Sequence, residues 1–100
     1  MANAKLGLPA DVRIGQTTKV TIPKGRREVL FQNDLTHVCA VSFSPKGTFG
    51  CIEVGLDPNG KVCLGILKRT HSTDFRVTLT LKPGTADPGR PPGGTIIIES

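Results

Sequence analysis

Three cysteines, Cys39, Cys51 and Cys63, stand twelve residues apart, and a thiolate is both a nucleophile and a metal ligand. With His37 or His71 they could supply a Cys₃His zinc set. Structural zinc sites, however, take ligand pairs about two to four residues apart at a tight knuckle. No two of these cysteines are that close. A Cys39–Cys51 disulfide would join diagonal neighbours on adjacent strands, at the long end of what a disulfide spans. An odd cysteine count also leaves one thiol over. The cysteines are therefore expected as reduced, buried small hydrophobes.

A nucleophile needs its base as a spatial neighbour. His71-Ser72-Thr73-Asp74 contains the residue types of a hydrolase triad in one stretch. Triad members normally converge from separate elements, so turn chemistry accounts for this run. No glycine-rich phosphate loop opens a helix, because no helical periodicity persists. The residues point to no catalytic group, no metal and no cofactor, and the chain is read as a non-enzyme.

Charge leaves one binding reading open. The chain of 100 residues carries thirteen Lys and Arg against eight Asp and Glu, a net charge of +5. The bases are spread along the chain and are densest at Lys24, Arg26 and Arg27 and at Lys68 and Arg69. These five are the candidate polyanion contacts. Against that stands the ordinary reading, a solvated surface with a modest excess of base. The only rings are Phe31, Phe43, Phe49 and Phe75. Sugar-binding and single-strand-binding surfaces usually stack rings on their ligands, so this poverty weakens both functions.

The elements that would position these residues are strands. Twelve Gly and eight Pro fit a chain of many turns. Thr17 to Ile22 alternates, with Val20 and Ile22 on one side, as a half-buried strand does. Pro23-Lys24-Gly25-Arg26 reads as a turn, Glu28 to Gln32 as a second strand, and Asn33-Asp34 as the next turn. Between the cysteines lie two similar turns, Ser44-Pro45-Lys46-Gly47-Thr48 and Asp57-Pro58-Asn59-Gly60-Lys61. A type I turn with a glycine bulge at each predicts a three-stranded meander over 38–68.

That meander fixes a register. Ser44 would oppose Thr48, Phe43 Phe49, Val41 Cys51, and Cys39 Glu53. Leu56 would oppose Val62, and Gly55 Cys63. Side chains alternate across a sheet. One side then carries Val38, Ala40, Ile52, Val54, Leu56, Val62, Leu64 and Ile66 as the core wall. The other carries Cys39, Val41, Phe43, Phe49, Cys51, Glu53, Gly55, Cys63, Gly65 and Leu67, a second and mostly apolar face. Glu53 is the odd residue there, either at a wet strand end or meeting a cation.

Phe75 to Lys82 alternates with Phe75, Val77, Leu79 and Leu81 inward. Pro83 to Gly94 holds four Pro and four Gly and reads as a long surface loop, suited to a Greek-key crossover. Thr95 to Ile98 is a final strand of high β-propensity. The expected fold is all-β: one antiparallel β-sandwich or small barrel of about seven short strands. Residues 1–16 are expected as an N-terminal arm or irregular segment and 17–100 as the sandwich domain.

A sheet apolar on both faces needs a further cover. This leads to the first functional expectation, a non-enzymatic structural protein that assembles with itself or with a larger protein assembly. Small β-sandwiches with arms serve as cement or decoration subunits of viral and phage shells, a fold-level analogy. The expected interface is Cys39, Val41, Phe43, Phe49, Cys51 and Glu53, with Ile96, Ile97 and Ile98 offering a strand edge to a partner. The alternatives are a carbohydrate- or surface-ligand-binding module and a small basic nucleic-acid-binding barrel. The first residues contain no apolar signal segment and no run long enough to span a bilayer. The chain is accordingly expected to be made in the cytoplasm and carried in a virion, with no membrane partner.

Overall fold

A computed structural model describes residues 9–68, 71–86, 89 and 91–99. Eight strands and no helix are found among them: β1 (Val12–Ile14), β2 (Lys19–Ile22), β3 (Glu28–Asn33), β4 (Val38–Ser44), β5 (Glu53–Leu56), β6 (Lys61–Gly65), β7 (Ser72–Thr80) and β8 (Gly94–Ile98). They form a three-stranded sheet, β1-β3-β6, and a five-stranded sheet, β2-β8-β7-β4-β5. The all-β, sandwich-like architecture expected from the turn spacing is therefore present. Its core lies between the sheets and includes Val12, Ile14, Ile22, Val29, Phe31, Val41, Phe75, Val77, Ile96 and Ile98.

Both sheets are mixed rather than antiparallel. β1 runs parallel to β3, and β2 parallel to β8. The β1–β3 pairing follows from the first two turns. Gln16 and Thr17 N–H groups both bond the Arg13 carbonyl, at 2.9 and 2.8 Å, and send the chain into the other sheet as β2. The Pro23–Arg26 turn brings it back as β3. Two reversals leave β3 pointing the way β1 did. The expected arm therefore supplies a core strand, with Val12 and Ile14 fully buried. Residues 1–8 lie outside the described residues.

The meander is corrected in two places. First, β4 and β5 pair as Cys39↔Leu56, Ala40↔Gly55, Val41↔Val54 and Ser42↔Glu53, three residues away from the expected register. An odd slip exchanges the two faces. The physical reason is that residues 45–52 do not form a tight turn. Thr48 and Phe49 tuck into the interior, where Phe49 packs on Phe43 at 4.9 Å and edge-on to Phe31 at 5.6 Å. Cys39, Val41 and Phe43 therefore face the core, while Val38 and Ile52, expected in the core wall, are exposed.

Second, β6 does not pair with β5. The Asp57–Gly60 turn forms, with the Gly60 N–H donating to the Asp57 carbonyl at 2.8 Å and Asn59 at φ 62°. It carries the chain across to the other sheet, where β6 pairs antiparallel with β3. There Val62 and Leu64 pack on the core beside Val29 and Phe31.

The last strand also differs from expectation. β8 sits between β2 and β7, bonded on both sides, and so offers no free edge to a partner. β7 and β8, consecutive in the chain, pair antiparallel, so the connection between them is not the expected crossover; of residues 81–93 the structure describes 81–86, 89 and 91–93. The alternation of β7 is as expected, with Phe75 and Val77 buried and Arg76, Thr78 and Thr80 exposed.

Candidate functional site

The three thiols are free and do not share a face. Cys39 lies in the core, and burial pushes its thiol above the ordinary value. Cys51 is half-buried against that core. Cys63 opposes Leu30 in the β3–β6 ladder, on the side away from Val29 and Phe31. Its thiol donates to Glu28 Oε2 at 2.9 Å. Among the described residues no group of three His, Cys, Asp or Glu could hold a metal ion.

The His71–Asp74 run diverges. Thr73 points inward and its hydroxyl donates to Thr48 Oγ1 at 2.8 Å, with both residues fully buried. Asp74 points outward and accepts the Thr95 hydroxyl at 2.8 Å. Consecutive strand residues cannot converge on one point. His37 is half-buried, and its Nδ1 meets the Thr36 hydroxyl at 3.2 Å.

The basic clusters behave differently. The turn over 23–27 follows β2 and leads into β3, whose first residue, Glu28, pairs with Gly65 at the end of β6. The next bond continues that ladder, from the Ile66 N–H to the Arg27 carbonyl at 2.8 Å. The segment leaving β6 then meets the loop after β4, as Leu67 and Lys68 N–H groups donate to the Thr48 carbonyl at 2.8 and 3.3 Å. The Lys68 side chain lies over Gly47, beside Lys46. Lys24, Arg26, Arg27, Lys46 and Lys68 thus gather at one end of the sandwich, all exposed. Arg69, the fifth residue expected in this set, lies outside the described residues.

Arg26 is held by Asp11 Oδ2 at 2.6 Å and by the Glu28 carbonyl at 3.1 Å. Asp11 Oδ2 also caps the Leu30 N–H at 2.9 Å. This cluster walls a pocket of about 540 Å³ that includes Arg27, Glu28, Leu30 and Cys63. Lys46 is absent from the expected set, yet a signal for it exists. Pro-Lys-Gly occurs at 23–25 and again at 45–47, and both stretches follow strands that end on the same side of the molecule.

Most of the expected interface is interior. Cys39, Val41, Phe43, Phe49, Ile96 and Ile98 are buried, Cys51 and Ile97 are half-buried, and Glu53 is exposed at the start of edge strand β5. The second apolar face is thus the core itself. The exposed aliphatic residues at this end are Ile52, at 66 %, and Leu67, at 74 %. Leu67 leans on Gly50, two residues before Ile52. The four phenylalanines are all buried, which leaves no phenyl ring exposed to stack on a sugar or a base; among the described residues the exposed ring at this end is the His71 imidazole. No helix of the described residues is long and apolar enough to cross a membrane.

No family model matches the chain, and neither a curated protein nor a solved structure matches it.

Proposed function

We propose that the protein is a non-enzymatic structural protein that works by association, a small subunit of a larger particle. Cement or decoration of a viral shell is the concrete form of this reading, by analogy of fold. The observation that carries it is the exposure of Ile52 and Leu67 at one end of a well-filled sandwich. Full burial of an aliphatic side chain contributes about 1.5–3 kcal/mol. A partner covering both would gain on the order of 3 kcal/mol, which corresponds to about a hundredfold in affinity. Ile52 also leads directly into β5, an edge strand of the five-stranded sheet. Edge strands carry unpaired backbone groups that another chain can meet.

Light scattering across concentration tests the reading, together with a check for a large particle during purification. Association is expected, and I52S/L67S is expected to weaken it by about a hundredfold. A wild-type chain that stays monomeric at every concentration and co-purifies with no particle overturns the proposal.

A further inference from the structure

We infer that the loop end of the sandwich binds the phosphate backbone of duplex nucleic acid, without regard to sequence. The inference does not rest on the association reading, but it uses the same end of the sandwich, where Lys68 directly follows the exposed Leu67. Lys24 and Arg27 lie beyond β2, at one edge of the five-stranded sheet, while Ile52 leads into β5 at the other.

Three turns that are distant in sequence deliver the cations. The β3–β6 ladder ends in the Ile66–Arg27 bond, and the Thr48 carbonyl ties down Leu67 and Lys68. Lys24, Arg27, Lys46 and Lys68 are all exposed and make no ion pair among the described residues. Among the described residues four acids share this end, one of them the exposed Glu99, whose N–H bonds the Ile22 carbonyl, and Asp11 is offset by the Arg26 cation. Asp11 holds Arg26 and the Leu30 N–H, Glu28 accepts the Cys63 thiol, and Asp74 accepts the Thr95 hydroxyl. Four solvated cations on turns anchored by backbone hydrogen bonds suit a dense linear array of phosphates.

The choice of duplex follows from the rings. Single-strand sites add aromatic stacking to charge, and here every phenylalanine is in the core. Charge without stacking or a reading helix contacts the backbone and leaves the bases unread.

Fluorescence anisotropy with labelled duplexes of two unrelated sequences, the matching single strand and phosphatidylserine vesicles tests this. The two duplexes are expected to bind equally and more tightly than the single strand. Four phosphate contacts imply a fall in affinity of about 100-fold between roughly 50 and 200 mM salt. K24A/R27A/K46A/K68A is expected to lose retention while keeping its circular dichroism, and K82A, at the opposite end, is expected to bind as wild type. Should the quadruple variant not fold, R27A and K68A must each reduce the salt slope by about one. The inference is overturned by no duplex binding at low salt, by binding that these variants leave unchanged, by tighter binding to single strand, or by binding to vesicles alone.

Discussion

Cys39 is a thiol with no chemistry available to it. It opposes Leu56 on one side and Leu79 on the other, and it is fully buried. A thiol reagent at neutral pH is expected to label Cys51 and Cys63 in the folded protein and to spare Cys39, as peptide mass spectrometry would report. Cys39→Ser places a hydroxyl in that core and is expected to cost roughly 1–3 kcal/mol, read from denaturant unfolding. The pH dependence has a definite sign. Burial holds the folded thiol above its ordinary value of 9.0. As pH rises past that value the unfolded chain loses the proton first. The unfolded state then binds fewer protons, and stability falls as pH climbs toward the folded value. Below that window the thiol is protonated in both states and its contribution is complete. Cys39→Ala is expected to flatten this alkaline decline relative to wild type. Equal declines in the two proteins would show that the thiol does not carry it.

At the scale of elements, β8 is the strand that closes the five-stranded sheet. It enters where Gly94 meets Phe75 on one side and Thr18 on the other. A Cβ at Gly94 would lie 2.5 Å from the Thr18 carbonyl oxygen and 2.9 Å from Phe75 Cε1. The backbone cannot yield there as a flexible side chain would. Gly94→Ala is therefore expected to cost more than the few tenths of a kcal/mol of an ordinary surface change, about 2 kcal/mol or more. Thermal unfolding checks this, and Gly84→Ala is a poor comparison because Gly84 sits at φ +85°. Gly65→Ala, with nothing near its Cβ, is the fitting control.

The strands themselves were legible, because alternation at Val20/Ile22 and at Phe75/Val77 is a local signal. Pairing was not. The turn at Asp57–Gly60 looks the same whether the chain folds back on β5 or crosses to β3. The choice depends on where Val62 and Leu64 find the most apolar cover, which is a property of the whole core. The β4–β5 register failed for a similar reason. Phe49 is drawn inward with Phe43, which the turn pattern did pair with it, onto Phe31, a partner that no local pattern names. Of the site, the basic clusters could be read but not their meeting, and the expected apolar interface proved to be the interior.

The whole molecule is two sheets that must be joined where their strands diverge, and Asn33 makes one such joint. It lies at the end of β3 in the three-stranded sheet and is fully buried. Its Nδ2 donates to the His37 carbonyl at 2.8 Å and to the Leu56 carbonyl of β5, in the other sheet, at 3.1 Å. Its Oδ1 accepts the Leu35 N–H at 2.9 Å. Its own backbone bonds Gly60 and Asn59, at 2.9 and 2.8 Å, so the crossing turn between β5 and β6 is held by the same residue. Asn33→Leu keeps the approximate volume and removes all three side-chain bonds. Three backbone groups then lose their partners, two of them carbonyls served by a single amide. Leaving buried polar groups unsatisfied costs about 1–3 kcal/mol each, less where water can reach them. The expected loss is roughly 2–4 kcal/mol, a fall of about 10–20 °C in Tm for a domain of this size. The denaturant slope should stay constant, because the surface exposed on unfolding is unchanged. Asn33→Asp keeps the bond from Leu35 but exchanges two donated bonds for a buried charge, and it is expected to be worse than Leu. If Asn33→Leu unfolds at the wild-type midpoint, the joint between the sheets does not run through this side chain, and the apolar contacts around Phe31 alone hold the two layers together.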